Sequence, residues 1–228
     1  MQAQAQQTLS SRATQGTAVI TGASSGLGAV FADRLAARSY DLILVARRVD
    51  RLTALAEQLT SQYGVFAKAT VADLTAKADL DSLVETISND ASITMLVNNA
   101  GAAAMKPIAS TSDAELYTMF DLNITALTRL TLAVLPGFKE RDLGTIINIG
   151  SSLSVYAPPK TGVYSGTKAY VMNFTLGLQQ ELAGTRVMAQ LVLPAKTATE
   201  IWENTGVPLE RLFLQTKWET RRRLNDPH

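Results

Sequence analysis

Short apolar runs alternate with amphipathic stretches along the chain, and this alternation predicts the fold. Near-continuous apolar runs such as Asp41–Ala46 are typical of parallel strands that are covered on both faces. Strands that alternate with helices predict an α/β domain built on a doubly wound parallel sheet with right-handed crossovers. The expected strands are Thr17–Thr21, Asp41–Ala46, Val65–Val71, Thr94–Val97, Thr145–Ile149 and Arg186–Leu193.

Between these strands the hydrophobic residues recur with helical spacing. Residues 1–16 are rich in Gln, Ser and Thr, and we expect them to form a disordered polar tail ahead of a single domain at residues 17–228. The expected helices are Ala29–Arg38, Asp50–Gln62, Lys77–Ser88, Asp113–Tyr117, Phe120–Lys139 and one that begins near Tyr164.

The composition narrows the chemistry that the chain can perform. Of its 228 residues, 46% are hydrophobic and 18% are charged, which is the balance of a soluble globular protein. The chain has no cysteine, which excludes thiol nucleophiles and cysteine-ligated metals, and its one histidine is His228. Acid–base chemistry therefore falls to Tyr, Lys, Asp or Glu, and we expect no metal site.

Charge and hydropathy predict that the protein binds neither nucleic acid nor a membrane. The formal net charge is +1 and the basic residues are scattered, so we expect no nucleic-acid partner and a solvated role for Arg221–Arg223. We find no apolar run of transmembrane length and no signal peptide. These patterns predict a cytoplasmic protein that does not bind a membrane.

A glycine-rich turn, G-A-S-S-G-L-G, follows the first expected strand and precedes a helix. Its glycines Gly22, Gly26 and Gly28 would let the backbone bend tightly and let a pyrophosphate approach the N–H groups at the helix start. A simple turn without a ligand would use the same residues. The strand before it and the helix after it favour the dinucleotide interpretation.

Several later strands end in residues that suit a ligand. Arg47 and Arg48 follow the second strand, at the position where an acidic residue binds the ribose in NAD sites. Two arginines at this position favour NADP, because arginine accommodates the 2′-phosphate. They would also fit a solvent-facing loop. Asp73 follows the third strand and would bind adenine or cap the next helix. Asn98–Gly101 follow the fourth strand and suit a close backbone approach to a ligand or a plain turn.

The stretch from Ser151 to Lys168 carries the candidate chemistry. Tyr164 and Lys168 are four residues apart, so on a helix both side chains would share one face. An adjacent ammonium would lower the pKa of the phenol and make proton transfer accessible, although such a pair alone is most often an ordinary helix-surface contact. Ser151 lies at the end of the fifth strand, where open parallel sheets bind ligands.

Taken in order, these motifs resemble the classical short-chain dehydrogenase/reductase family over about residues 17–200. The resemblance implies a Rossmann-type sheet with strand order 3-2-1-4-5-6 and a tetrad of Asn123, Ser151, Tyr164 and Lys168, with Ser152 out of register. Tyr164 would protonate a carbonyl oxygen held by Ser151 while bound NADP(H) supplies the hydride, and Lys168 would lower the tyrosine pKa and bind the ribose. The cofactor residues implied are Gly22, Ser24, Gly26, Leu27, Gly28, Arg47, Asp73, Asn99, Ala100, Gly101, Tyr164, Lys168, Pro194, Thr197 and Thr199.

The C-terminal part departs from that pattern. Ala195 replaces the usual glycine, residues 195–210 resemble a substrate loop, and residues 211–228 contain no run that matches the family's seventh strand. The resemblance allows a homo-oligomer, and the altered C-terminus weakens that expectation. The substrate pocket is expected at Ala102–Pro107, at Leu153–Pro159 with Tyr156, and at Lys196–Pro208 with Trp202. We expect a reductase or dehydrogenase that acts on a small carbonyl or alcohol. The alternative is a nucleotide-binding regulator of the same fold with weak or no turnover.

Overall fold

The computed structural model describes residues 14–194, and six parallel strands form its sheet in the order 3-2-1-4-5-6, numbered along the chain. The prediction of a doubly wound parallel α/β sheet with this strand order is confirmed. The question of a seventh strand concerns residues 195–228, which lie outside the described residues.

The strands match the apolar runs to within one or two residues. β3 begins at Ala67 rather than Val65, because the Phe66 amide donates to the Asp41 carboxylate at 2.8 Å before regular pairing starts. The strands are β1 Thr17–Thr21, β2 Asp41–Ala46, β3 Ala67–Val71, β4 Ile93–Asn98, β5 Gly144–Ile149 and β6 Val187–Val192.

The helices connect the strands on both faces of the sheet. α1 begins at Gly26, earlier than the expected Ala29, because the glycine turn leads directly into the helix. The helices are α1 Gly26–Ala36, α2 Val49–Tyr63, α3 Lys77–Ser88, α4 Asp113–Phe120, α5 Leu127–Arg141 and α6 Gly162–Glu181, with short 3₁₀ turns at Ile108–Ser110 and Ser152–Ser154.

The two helices expected at Asp113–Tyr117 and Phe120–Lys139 form one helical run, which corrects that prediction. A π-helical turn, Asp121–Ala126, joins α4 to α5, since the sequence has no glycine or proline between them to break the helix. By length and composition this run of 29 residues is also able to cross a membrane, contrary to the sequence expectation. In the fold its apolar face packs in the core, where Leu130, Val134 and Phe138 are buried.

Alternate residues of the strands point into two separate hydrophobic layers. Val19, Val45 and Leu96 face the layer covered by α3, α5 and α6. Ile20 and Leu44 face the layer covered by α1 and α2. Because both faces are covered, the central strands are apolar at nearly every position, as the sequence pattern predicted.

The sequence predicts that residues 14–16 belong to a disordered tail. In the structure they are hydrogen-bonded to the folded domain. The Gln15 amide donates to the Ser39 carbonyl at 3.1 Å, and the Gly16 carbonyl accepts from the Asp41 amide at 3.0 Å. These bonds place the start of the ordered domain at least three residues before Thr17. Residues 1–13 lie outside the described part of the chain.

Candidate active site

A cleft of about 650 Å³ opens at the carboxyl ends of the strands. Its lining includes the glycine turn after β1 and the segment after β4, and these two neighbouring strands lie where the strand order reverses. In open α/β sheets this reversal point is where ligands bind. The fold therefore brings the sequence motifs on opposite halves of the sheet into one cavity.

The glycine turn has a shape that only glycine permits. Gly22 and Gly26 have φ angles of +66° and +55°, in the left-handed region. A Cβ added to Gly28 would lie 2.3 Å from the Gly22 carbonyl oxygen. The first turn of α1 carries no acidic residue and no side-chain cap, so its amide dipoles favour an anion.

The segment after β4 is tied to the glycine turn. The Asn99 side chain donates to the carbonyls of Thr21 at 2.8 Å and Gly22 at 3.2 Å. The Thr21 hydroxyl accepts from the backbone amides of Asn99 and Ala100, each at 3.0 Å. These bonds hold Asn99, Ala100 and Gly101 in the cleft lining.

Two arginines stand at the end of the cleft that follows β2. Arg48 donates to the Ser24 hydroxyl at 3.2 Å and to the Ser25 hydroxyl at 2.7 Å. The Arg47 guanidinium lies 3.9 Å from the Asp73 carboxylate. Both arginines line the cleft together with Asp73, so the three side chains give this end of the cavity a net positive charge.

Asp73 forms a local turn and does not cap the next helix. Its carboxylate accepts from the Thr75 amide at 3.0 Å and the Thr75 hydroxyl at 2.8 Å, whereas the N-cap of α3 is Ala76. Partial burial opposes ionisation, but the bonds from Thr75 and the charge of Arg47 outweigh it and lower the pKa of Asp73. The carboxylate therefore stays charged in the cleft lining, and its bonds with Thr75 hold the local turn rather than the start of α3.

Tyr164 and Lys168 lie on the first turns of α6, with Ser151 across the cleft at the end of β5. The Ser151 hydroxyl accepts from the Leu153 amide at 3.1 Å and is near enough to the Tyr164 phenol to influence its pKa. The Lys168 ammonium donates to the Ile149 carbonyl at 2.8 Å and lies 6.0 Å from the centre of the Tyr164 ring. The fold thus brings serine, tyrosine and lysine together.

Burial dominates the ionisation of this pair. It raises the pKa of Tyr164, and the nearby Ser151 hydroxyl only partly opposes that rise. It also lowers the pKa of Lys168 from 10.5 to about 8. The sequence predicts that Lys168 lowers the tyrosine pKa. In the fold the net shift of the tyrosine pKa is upward, because desolvation disfavours the phenolate.

Asn123 lies in the π-helical turn and faces the same region. Its side chain accepts from the Ala102 amide and donates to the Ala102 carbonyl, each at 2.9 Å. A Cβ added to Gly101 would lie 2.9 Å from the Asn123 Oδ1 and 3.5 Å from the Lys168 Nζ. The side chain therefore fixes the loop beside the catalytic lysine candidate.

A family model described as short chain dehydrogenase matches residues 16–208. The chain belongs to the short-chain dehydrogenase family. A short-chain dehydrogenase from Sphingobium yanoikuyae in complex with NADPH is 42% identical, with a TM-score of 0.84, over 86% of this chain and 76% of the other. An alcohol dehydrogenase from Comamonas testosteroni specific for bulky-bulky ketones is 36% identical, with a TM-score of 0.79, over 86% and 77%.

Among curated proteins, the very-long-chain 3-oxoacyl-CoA reductase of Anas platyrhynchos is 34% identical over 81% of this chain. The aligned region is 60% of that relative's length. The chain thus spans a little under two thirds of this relative.

Not every residue expected of a short-chain dehydrogenase falls within the described cleft. Pro194 lines it, and its carbonyl accepts from the Ser152 amide at 3.0 Å. Thr197 and Thr199, with the substrate loop at residues 195–210, lie outside the described residues. Of the expected pocket segments, Ala102–Ala104 line the cleft, whereas the segment Leu153–Pro159 does not, and its Tyr156 is 57% exposed.

Two residues of this dehydrogenase site were not singled out as contacts from the sequence. The sequence prediction assigns Arg47 and not Arg48 to the cofactor. In the structure Arg48 is the arginine that is hydrogen-bonded to the glycine turn, through Ser25. Thr167 precedes Lys168, and its hydroxyl accepts from Asn123 at 2.9 Å. A sequence signal existed for Arg48, the paired arginine with two serines upstream, but none existed for a contact between residues 123 and 167.

Proposed function

We propose that the protein is an NADP(H)-dependent oxidoreductase that interconverts a carbonyl and a secondary alcohol. The observation that carries this proposal is the convergence of Ser151, Tyr164 and Lys168 in the cleft that also contains the glycine turn and two arginines. An acid–base group beside a dinucleotide cradle is the arrangement that hydride transfer needs. The NADPH complex of the Sphingobium relative supports the choice of cofactor.

The donor set of the cleft fits a phosphorylated dinucleotide. The N-terminus of α1 with Ser24, Gly26, Leu27 and Gly28 would receive the pyrophosphate. Arg47 and Arg48 would bind a 2′-phosphate, because a guanidinium pairs with phosphate through two parallel hydrogen bonds. Asp73 would hold the adenine, and Asn99–Gly101 with Pro194 would line the adenosine and nicotinamide side. The bound dinucleotide would supply or accept the hydride.

The protein's own residues would handle the proton and the developing charge. Tyr164, kept protonated by its burial, would donate its proton to the carbonyl oxygen in the reducing direction. Ser151 would donate a hydrogen bond to the same oxygen, which stabilises negative charge as it forms. Lys168 would bind the ribose and assist in returning the proton to Tyr164, with Asn123 supporting that relay.

The lining near Lys168 favours a neutral substrate with an apolar group. Ala102, Ala103 and Ala104 occupy the wall that continues from Gly101, and their small side chains leave room beside the reacting atoms. Glu115 is the only other charged residue at this end of the described lining, and Lys106 neutralises it at 2.6 Å. That contact and bonds from Ser112 lower the pKa of Glu115 to about 2, so this carboxylate stays ionised. We therefore propose that the substrates are uncharged ketones.

We also propose a cytoplasmic location, which suits an NADP(H) enzyme of this kind.

The proposal is tested by adding neutral ketones to the purified protein with NADPH and following the loss of the reduced nicotinamide. We expect consumption that depends on the ketone and that is much slower with NADH. The alternative, a regulator without turnover, predicts tight NADPH binding and no consumption with any ketone of the panel.

The arginine pair gives a prediction about cofactor choice. We expect the double variant Arg47→Ala/Arg48→Ala to bind NADPH at least about 100-fold more weakly, because at least two charge-assisted hydrogen bonds are lost and each contributes roughly 1.5–3 kcal/mol. Binding of NADH, which has no 2′-phosphate, should change little. Nicotinamide fluorescence titrations measure both constants, and Arg38→Ala, an exposed arginine outside the cleft lining, is the matched control. Equal weakening of both cofactors would remove the arginines from the phosphate site.

The alanine wall gives a prediction about substrate size. We expect Ala103→Leu to lower kcat/KM for ketones with bulky groups on both sides of the carbonyl by about 10-fold or more, because a misfit of a few carbon atoms costs roughly 1–3 kcal/mol. Methyl ketones should be affected less. Ala109→Leu, at an exposed alanine outside the cleft lining, controls for the added leucine. An equal loss for both classes of ketone would contradict the assignment of this wall to the substrate.

A further inference from the structure

The π-helical turn Asp121–Ala126 interrupts the long helical run at the position of Asn123. Such turns are uncommon within α-helices and often occur at functional sites. Asn123 is 1% exposed, so each of its polar atoms needs a partner inside the protein. Its hydrogen bonds therefore reveal what holds this irregular turn in place.

Asn123 has partners on two separate elements. Its Oδ1 and Nδ2 atoms bond the backbone of Ala102 in the cleft wall. The second hydrogen of Nδ2 points to α6, where the Thr167 Oγ1 accepts it at 2.9 Å. Thr167 thus provides the link between Asn123 and the helix that carries Tyr164 and Lys168.

The Thr167 hydroxyl both donates and accepts a hydrogen bond. It is 1% exposed and donates its one hydrogen to the Tyr164 carbonyl at 2.8 Å while it accepts from Asn123. A hydroxyl can do both at once, whereas a methyl group can do neither. One side chain therefore connects the π-helical turn to the backbone of the catalytic tyrosine candidate, one residue before the lysine.

We propose that Thr167 is a positioning residue for the reaction, and that its hydroxyl locks the π-helical turn against α6 so that Asn123, Tyr164 and Lys168 keep their relative placement. This inference rests on the proposed function. Without the hydroxyl, the Nδ2 group of Asn123 would be buried without a full set of partners, and the turn would shift to find one. A displacement of about 1 Å at reacting groups is enough to slow catalysis strongly.

A second threonine on α6 provides a closely matched control. Thr175 is fully buried, its hydroxyl donates to the Val171 carbonyl, and it accepts from the Asn148 side chain at 3.0 Å. Thr175 and Thr167 therefore have the same chemistry, an asparagine donor and a carbonyl acceptor on the same helix. Only Thr167 contacts Asn123.

The experiment compares Thr167→Val, Thr167→Ser and Thr175→Val with the wild-type protein. We expect Thr167→Val to lower kcat about 10- to 100-fold with KM and NADPH affinity nearly unchanged. Thr167→Ser, which keeps the hydroxyl, should recover most of the rate, and Thr175→Val should lose thermal stability but little rate. An unchanged kcat in Thr167→Val, an equal fall in Thr175→Val, or no recovery in Thr167→Ser would overturn the proposal.

Amide hydrogen exchange gives a readout that does not need turnover. We expect exchange at residues 121–126 to become faster in Thr167→Val than in Thr175→Val. Unchanged exchange there in Thr167→Val would overturn the lock. If the wild-type protein turned over no ketone, the proposed function would fail, while the exchange comparison would still decide whether Thr167 holds the turn.

Discussion

Tyr164→Phe should lower kcat for ketone reduction by about 10²- to 10⁴-fold, the usual contribution of a positioned general acid. The variant loses only the phenolic hydroxyl of a buried residue that lines the cleft together with Ser151. Phenylalanine fills nearly the same volume, so the fold and the NADPH affinity should be retained. Steady-state kinetics with NADPH and a responsive ketone, together with a nicotinamide fluorescence titration, measure the two effects separately.

Tyr170→Phe is the matched control for this variant. Tyr170 lies on the same helix, but its hydroxyl is hydrogen-bonded to the Thr128 hydroxyl at 2.8 Å and does not line the cleft. Its loss should leave kcat close to the wild-type value. A Tyr164→Phe protein that retained the wild-type rate would rule out the tyrosine as the proton donor.

Lys168→Met should make the protein more stable and far less active. The pKa of Lys168 falls from 10.5 in an exposed lysine to about 8 in the fold, which corresponds to roughly 3 kcal/mol of destabilisation at neutral pH. Methionine removes that penalty and loses one charge-assisted hydrogen bond to Ile149, worth roughly 1.5–3 kcal/mol. We expect a net gain of up to roughly 1.5 kcal/mol in the free energy of unfolding at pH 7, measured by urea denaturation.

The gain should depend on pH in a defined direction. Because the pKa of Lys168 is lower in the folded protein, the unfolded chain binds more protons between about pH 8 and pH 10.5, and wild-type stability rises with pH in this window. The advantage of Lys168→Met is therefore full below pH 8 and shrinks above it. Lys139→Met, at an exposed lysine near the end of α5, is the control for replacing a lysine with methionine. A constant difference across this range would contradict the burial of a charged Lys168.

Motif order predicted the fold and the main groups of the site. The apolar runs located all six described strands, because both faces of a parallel sheet demand apolar residues. Glycine at positions 22, 26 and 28 indicated a turn whose φ angles and close contacts exclude larger side chains. Tyr164 and Lys168 were placed together by helical spacing alone.

Other features depend on contacts between distant segments and left no local pattern. The π-helical turn at Asp121–Ala126 is stabilised by bonds from Asn123 to Ala102 and Thr167, which are 21 and 44 residues away in the chain. The direction of the Tyr164 pKa shift follows from burial, which spacing does not reveal. Strand and helix ends moved by a few residues because single bonds, such as that between Phe66 and Asp41, set where regular pairing begins.

The most direct test of the account is to follow the transferred hydrogen. Purified protein is incubated with a neutral ketone and NADPH that carries deuterium at its transferable hydride position, and the product is analysed by mass spectrometry. We predict a secondary alcohol with deuterium on the carbinol carbon, formed in equal amount to the NADPH oxidised and about 10²- to 10⁴-fold more slowly with Tyr164→Phe. NADPH bound tightly across a broad panel of ketones without any labelled alcohol would contradict it.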